Sequence, residues 1–268
     1  MEGQSHTLKI ASINVGGIKN NIEYLNALTL THNIVCIQET WAMNKSAIEQ
    51  NLYCFIKTVY FKPARKFSKT GGTVRFCSYR VGFLDYGEIS LINVYLPFFD
   101  GSLDNKFEFD QEMEIIQDLF DQRIGRKIYI MGDMNTDIAK TNHNTFSLLR
   151  FLKKNNLTLL DVKQTQTTDF TYRKIINNKC ITSWIDHVIT DQSMDDEITC
   201  RILESDLNLG DHQAISTTLE EVEKIEEVKP EHLKIDRPKI KYQNHHQRRM
   251  YQQELEKLLH KEPFYSMS

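Results

Sequence analysis

The sequence has no excess of either charge. Its 33 lysine and arginine side chains stand against 36 aspartates and glutamates, a net charge of −3 over 268 residues. No global positive field marks it as a polyanion binder, so a catalytic part acting on a polyanion would need a divalent cation to mask its own acidic groups. Long apolar runs are also missing. Nowhere do 18 apolar residues follow one another, and the N-terminal MEGQSHTLKI carries no apolar signal core, so neither a membrane span nor secretion is expected. The five cysteines (Cys36, Cys54, Cys77, Cys180, Cys200) are odd in number and far apart. Lying mostly in apolar, strand-like runs, they read as reduced core thiols of a nuclear or cytoplasmic protein rather than as disulfides or a zinc site. Internal repeats and low-complexity tracts are absent.

What is present is enough apolar and aromatic content, 40% and 10%, to bury a large core. The expectation is one domain over residues 1–219, followed at 220–268 by a charged linker and a short amphipathic helix. In that helix Tyr251, Leu255, Leu258 and Leu259 share a face ahead of Pro263. The chain opens β-α-β: Leu8 to Val15 as a buried strand, a helix with Ile22, Leu25 and Leu28 on one side, and Ile34 to Gln38 as a second strand. Tyr53 to Phe61 and Ile89 to Pro97 read as further strands, with Lys66 to Gly72 as a basic turn. A helix is expected from about Asp104 to Gln122 and another over Thr145 to Asn155, with Leu157 to Val162 returning as a strand. Past this point short β segments dominate: Phe170 to Arg173, Ser183 to Thr190, Ile198 to Leu203 and His212 to Leu219.

The stretch that organises the chain is Lys127 to Thr136. Four apolar residues form a strand buried on both faces, Gly132 frees the backbone to turn, and Asp133 and Asn135 follow two residues apart. At the mouth of a buried sheet, a carboxylate can take a proton from water and an amide can hold an oxyanion. Other strands end in matching chemistry. Asn14 and Glu39 close the first two strands, and Tyr95 stands near the end of a later one. Asp186 lies within an apolar run and needs a partner there, because an unpaired buried carboxylate costs several kcal/mol. Asp211 and His212 follow Gly210, and a buried Asp fixing a histidine tautomer is a common way to make an acid, base or phosphate donor.

In order, INVGG, CIQET, INVYLP, MGDMN, SWIDHVI and GDH resemble the signature blocks of the endonuclease/exonuclease/phosphatase superfamily, over about residues 8 to 219. The Ser-x-Ile-Asp-His form of the fifth block, and the tail from Arg237-Pro238-Lys239 through Tyr242, are most similar to the endonuclease domain of LINE-type (non-LTR) retrotransposons. The resemblance implies an α/β four-layer sandwich, exonuclease III-like, of two mixed β-sheets flanked by helices. It implies Glu39 as the main ligand of Mg²⁺ (or Mn²⁺), with Asn14 and Asp211 near the metal. Asp133 would activate water, Asn135 steady the phosphorus, and His212, held by Asp186, bind a phosphate oxygen. Tyr95 would contact the phosphate or the leaving oxygen, and Thr171 and Ser183 would be secondary phosphate contacts.

The implied activity is Mg²⁺-dependent DNA nicking that leaves a 3′-hydroxyl primer for a reverse transcriptase; no motif of such a polymerase occurs in this chain. The alternatives are an abasic-site repair nuclease or a phosphatase of the same superfamily, or a catalytically weak DNA- or partner-binding remnant of a truncated element. Two departures from the pattern stand out: Gly210 where a serine is common, and a stretch, Thr73 to Glu88, that looks too short for an additional strand pair and would shorten one sheet.

Overall fold

The structure is a computed structural model that describes residues 6–42, 44–49, 52, 65–68, 74–77, 81–165, 170–194 and 198–222. The chain divides into two units, Met1–Pro230 and Glu231–Ser268. The second unit, and with it the expected terminal helix, lies outside the described residues, as does the strand expected over Tyr53 to Phe61.

The elements follow in the order β1 (His6–Asn14), α1 (Ile22–Thr31), β2 (Ile34–Gln38), α2 (Lys45–Glu49), β3 (Arg65–Ser68), β4 (Val74–Cys77), β5 (Val81–Tyr86), β6 (Ile89–Tyr95), α3 (Leu103–Asp121) and β7 (Lys127–Asp133). Then come α4 (His143–Asn155), β8 (Leu157–Leu159), α5 (Leu160–Gln164), β9 (Tyr172–Ile176), β10 (Lys179–Ser183), β11 (Asp186–Asp191), β12 (Ile198–Leu203) and β13 (Ala214–Val222). They build a four-stranded sheet, β12-β13-β1-β2, and a five-stranded sheet, β5-β6-β7-β11-β8, with two separate hairpins, β3-β4 and β9-β10. Each main sheet is mixed, because β1 runs parallel to β2, and β6 to β7, while their other neighbours are antiparallel. The two parallel pairs are the ones that need a crossover, and α1 and α3 supply it.

Three apolar layers hold the stack together. Leu8, Ile10, Cys36 and Ile215 of the first sheet meet Leu91, Tyr129, Met131 and Val188 of the second in the space between them. Phe109, Met113 and Ile116 of α3, with Leu148 and Phe151 of α4, cover the outer face of the five-stranded sheet. Leu25 and Leu28 of α1 and Ile48 of α2 pack with Ala11 and Ile13 on the outer face of the other. The architecture is therefore helix, sheet, sheet, helix, as the sequence led one to expect. The central strand Lys127–Asp133 is apolar from Ile128 to Met131 because both of its faces are covered there. Helix ends follow local chemistry. The Ser102 and Asn142 side chains accept the Asn105 and Thr145 N–H groups at 3.1 Å, and Asn156 closes α4 in the left-handed conformation. Among the described residues no helix is long and apolar enough to cross a membrane.

Several local expectations need correction. The short Thr73–Glu88 stretch does hold two strands, β4 and β5, which pair with β3 and β6; the two-residue turn Gly87-Glu88 between β5 and β6 uses little chain. Part of the expected basic turn is strand β3. The Leu157–Val162 segment is strand only to Leu159, after which Leu160 starts α5. Lys179–Ser183 is a separate strand, exposed along most of its length and so without an apolar pattern to announce it; the Asn177-Asn178 turn, at φ 50° and 60°, folds it back on β9.

One buried polar cluster went unread in the sequence. The fully buried Asp161 carboxylate accepts His187 Nδ1 at 2.8 Å, Trp184 Nε1 at 2.7 Å and the Val188 N–H at 2.7 Å. His187 Nε2 faces the Thr136 carbonyl at 2.8 Å, so both ring nitrogens meet acceptors and both carry protons. Burial pulls the His187 pKa down, but the Asp161 carboxylate and the two hydrogen bonds outweigh it and the value is raised. The pair's stabilisation is therefore complete below the ordinary histidine pKa of about 6.5 and fades as pH rises through the raised folded value. Asp161→Ala is expected to lower the unfolding free energy by about 3–5 kcal/mol in urea titrations at pH 6, and this deficit should shrink as the pH is raised.

Candidate active site

Three strands of the five-stranded sheet end in step. Tyr95, Asp133 and Asp186 are Cα partners across β6, β7 and β11, so their side chains start from one rung. Gly132 makes the close approach possible: it sits at φ 141°, and a Cβ there would lie 2.1 Å from the Val94 carbonyl oxygen. Beyond Asp133 the chain turns through Asn135 at φ 47°. The Asn135 N–H returns to Asp133 Oδ1 at 2.8 Å, while its side-chain amide donates to the Leu96 carbonyl at 2.9 Å.

The other sheet brings Asn14 and Glu39 to the same place. Asn14 ends β1 opposite Gln38, and Glu39 follows β2 with φ 48°. Asn14 Nδ2 donates to Asp133 Oδ2 at 2.8 Å and to Glu39 Oε1 at 3.0 Å, joining residues 119 and 25 positions away. Its own Oδ1 is held by the Gly16 N–H. Glu39 Oε2 accepts the indole N–H of Trp41 at 3.1 Å, a contact with no signal in the sequence reading.

His212 arrives from the turn before β13. The Tyr172–His212 bridge, with the Arg173 N–H on the Asp211 carbonyl and the Gln213 N–H on the Thr171 carbonyl, fixes its backbone. Its Nδ1 donates to Asp186 Oδ2 at 2.8 Å, which leaves Nε2 3.8 Å from Asp133 Oδ2, and the Tyr172 ring stands edge-on at 5.0 Å. Burial alone would lower the His212 pKa. The Asp186 carboxylate, its hydrogen bond and the charges of Asp133 and Glu39 reverse this and lift it to about 9. Burial, with the Asp186 charge beside it, pushes Asp133 up to about 7 against the lowering effects of His212 and Asn14. A general base and an imidazolium thus stand side by side near neutral pH.

The expected residues separate into two groups. Asn14, Glu39, Asp133, Asp186 and His212 form one connected cluster, with Tyr95 and Asn135 in its strand ends. The others hold different places. The Asp211 carboxylate, half-exposed, pairs with Lys174 Nζ at 3.3 Å. Thr171 is fully buried and its Oγ1 accepts the Ile185 and Asp186 N–H groups, so it fixes the start of β11 rather than lining an open cleft. Ser183 accepts Lys140 Nζ at 2.8 Å, which adds a cation that sequence reasoning did not single out.

Carboxyl groups outnumber cations here, which is the setting a divalent ion neutralises. Asp133, Asp186 and His212 present donor atoms within 4.8 Å of one another and could hold such an ion. His212 Nδ1 is already committed to Asp186 Oδ2, so of this ring only Nε2 is left to face an ion.

Residues 11–206 match the Endonuclease/Exonuclease/phosphatase family. No curated protein matches the sequence. Among solved structures, the endonuclease domain of TRAS1, a telomere-specific non-LTR retrotransposon, superposes with a TM-score of 0.52 at 16% identity, covering 79% of this chain and 98% of that one. A 3′ phosphatase from Neisseria, NExo, bound to a product DNA hairpin, gives 0.55 at 15% identity, covering 78% and 98%. At these identities the likeness is one of fold.

An NMR titration of the ring resonances should give His212 a pKa near 9. In Asp186→Asn the main raising influence is gone while burial remains, so the value should fall toward or below the ordinary histidine value.

Proposed function

The chain belongs to the endonuclease/exonuclease/phosphatase family, and on that premise we propose that it is a Mg²⁺-dependent nuclease that nicks DNA and leaves a 3′-hydroxyl. The observation that carries the reading is the convergence of Glu39, Asp133 and the Asp186–His212 pair, through Asn14, at one end of the two sheets.

Each side chain has a chemical task. Asp133, with a pKa about 7, accepts a proton from the attacking water. His212 keeps its Nδ1 proton on Asp186 and offers the Nε2 N–H to a non-bridging phosphate oxygen. Asn135 keeps the turn after β7 closed on Asp133 and so sets the direction of the base. Tyr95, one rung across from Asp133, is placed for the phosphate or the leaving oxygen. Glu39 would hold Mg²⁺, or Mn²⁺ in its place, with Asn14 beside it, while the Asp211 carboxylate is engaged by Lys174. The bound ion supplies charge neutralisation at the phosphate and the leaving oxygen. Ser183 and Lys140 would meet a neighbouring phosphate.

The Ser-x-Ile-Asp-His form of the SWIDHVI block and the tail from Arg237-Pro238-Lys239 through Tyr242 support a LINE-type element as the setting. The 3′-hydroxyl would then prime a reverse transcriptase, the protein would be nuclear or cytoplasmic, and residues 220–268 would serve as a connector.

Supercoiled plasmid incubated with Mg²⁺ should become nicked circle, and the product should be extended by a DNA polymerase from its 3′-hydroxyl. Asp133→Ala and His212→Ala should each slow nicking by about 10²–10⁴-fold, and EDTA should stop it. Nicking that survives both substitutions would remove the assigned site. Cleavage confined to abasic duplex, 3′-phosphate ends or inositol phosphates would change the substrate while keeping the chemistry. Stoichiometric duplex binding without nicking at any Mg²⁺ concentration would mark a binding remnant.

A further inference from the structure

We propose that Trp41 is a nucleobase platform beside the scissile phosphate, stacking a base of the bound strand next to Glu39. The proposal rests on the DNA reading above and deepens it, because it requires a ligand that carries an unstacked base as well as a phosphate.

Trp41 is a built feature. It sits at φ 53°, two residues after Glu39 at φ 48°, a left-handed conformation that bulky residues rarely adopt. Backbone strain of this kind persists only where the surroundings enforce it, and three contacts do so here. The indole N–H donates to Glu39 Oε2 at 3.1 Å. The six-membered ring lies against Gly17, where an added Cβ would come within 2.6 Å of Cε3, so only a glycine leaves room for it. Behind the ring, the Gly17 and Ile18 N–H groups bond to the Glu39 and Thr40 carbonyls at 2.8 and 3.2 Å. The side chain is thus pinned at its nitrogen and along the glycine turn.

Despite this anchoring, 49% of Trp41 stays exposed. Local stability alone would favour covering the ring or replacing it, since glycine, or to a lesser degree asparagine, would relieve the strained backbone. A rigid aromatic surface held next to a phosphate site is what a base needs in order to stack, and such stacking is tolerant of sequence. The indole also ties the two events together, because the group that would carry the base orients the carboxylate that would hold the ion.

Tryptophan emission offers a direct readout, because the chain has only two tryptophans and the other, Trp184, is bound to Asp161. The test uses the full chain carrying Asp133→Asn, so that nothing is cleaved. It is titrated with a single-stranded deoxyoligonucleotide and, separately, with a fully abasic strand of the same phosphate count. The ordinary strand should quench Trp41 emission, and the quench should disappear in Trp41→Phe, which keeps binding within about threefold because a phenyl ring still stacks. Trp41→Ala should weaken binding of the ordinary strand about tenfold and leave the abasic strand unchanged. Gly17→Ala, which pushes the ring away without removing it, should reproduce the loss. Unchanged affinity in Trp41→Ala, or an equal loss for both strands, would overturn the platform. If plasmid nicking by the unmodified enzyme is intact in that case, the nuclease reading stands; base-dependent binding without any nicking would instead sink the nuclease and keep the platform.

Discussion

A single amide nitrogen ties the two sheets together at the site. Asn14 Nδ2 donates at once to Glu39, on its own sheet, and to Asp133, on the opposite one. The residue type matters because the position faces two carboxylates. An aspartate there would add a third acceptor-only group with nothing to offer either neighbour, whereas the amide supplies two donors and turns its oxygen back to the Gly16 N–H. The interlayer core of Leu91, Tyr129, Met131 and their partners fixes how the sheets stack. The Asn14 contacts then bring their carboxyl-terminal ends together within hydrogen-bonding distance. The Asp186–His212 bond makes a second crossing of the same kind, from β11 to the turn before β13.

These crossings set the protonation chemistry. Burial raises the pKa of an acid and lowers that of a histidine, so Asp133 and His212 would each move toward neutrality if left alone. Asp186 acts on both. It repels the Asp133 charge, which adds to burial, and it attracts the imidazolium, which overcomes burial. One carboxylate therefore leaves a half-ionised acid and a protonated histidine within 3.8 Å of each other. Both groups hold protons in the folded state that they would release when unfolded near neutral pH. The arrangement thus loses stability as the pH rises, from about 4 through the Asp133 value and then from about 6.5 through the His212 value.

Most of the cluster was legible because it lies where strands end. Asn14, Glu39, Tyr95, Asp133 and Asp186 sit at transitions between apolar runs and flexible turns, and the demand that a buried Asp186 find a partner pointed correctly to His212. What stayed hidden depended on contacts between segments with no shared pattern. Asp161 reads as one polar residue of the strand expected over Leu157 to Val162, and His187 as part of an apolar strand, yet they form a buried pair under the turn that carries Asn135. Thr171 gave no sign that its hydroxyl would be used by two backbone donors, nor Asp211 that it would face Lys174. Trp41 carried no signal of its own, because the glycine that cradles its ring is 24 residues earlier. Exposed β10 lacked the alternation that identifies a strand, since no face of it is buried.

The Gly210 departure shows how such hidden contacts change the meaning of a motif. A missing serine hydroxyl reads in one dimension as a lost function. In the folded chain, a Cβ at Gly210 would lie 2.9 Å from Asn21 Nδ2 and 3.3 Å from Asn208 Oδ1, so two amide side chains already take up the space. Asn21 is buried and bridges the Val15 carbonyl, just past Asn14, to the Leu209 N–H at the entrance to the Gly-Asp-His turn. Asn208 closes the same turn by donating to the His212 carbonyl and accepting the Gly210 N–H. The link from the end of β1 to His212 is therefore made by amides supplied from outside the block. With two carbonyls and two backbone N–H groups satisfied by Asn21 and Asn208, a side chain at 210 would press on both amides and make them shift. Glycine leaves these bonds undisturbed, and the deviation in the block agrees with the residues packed around it.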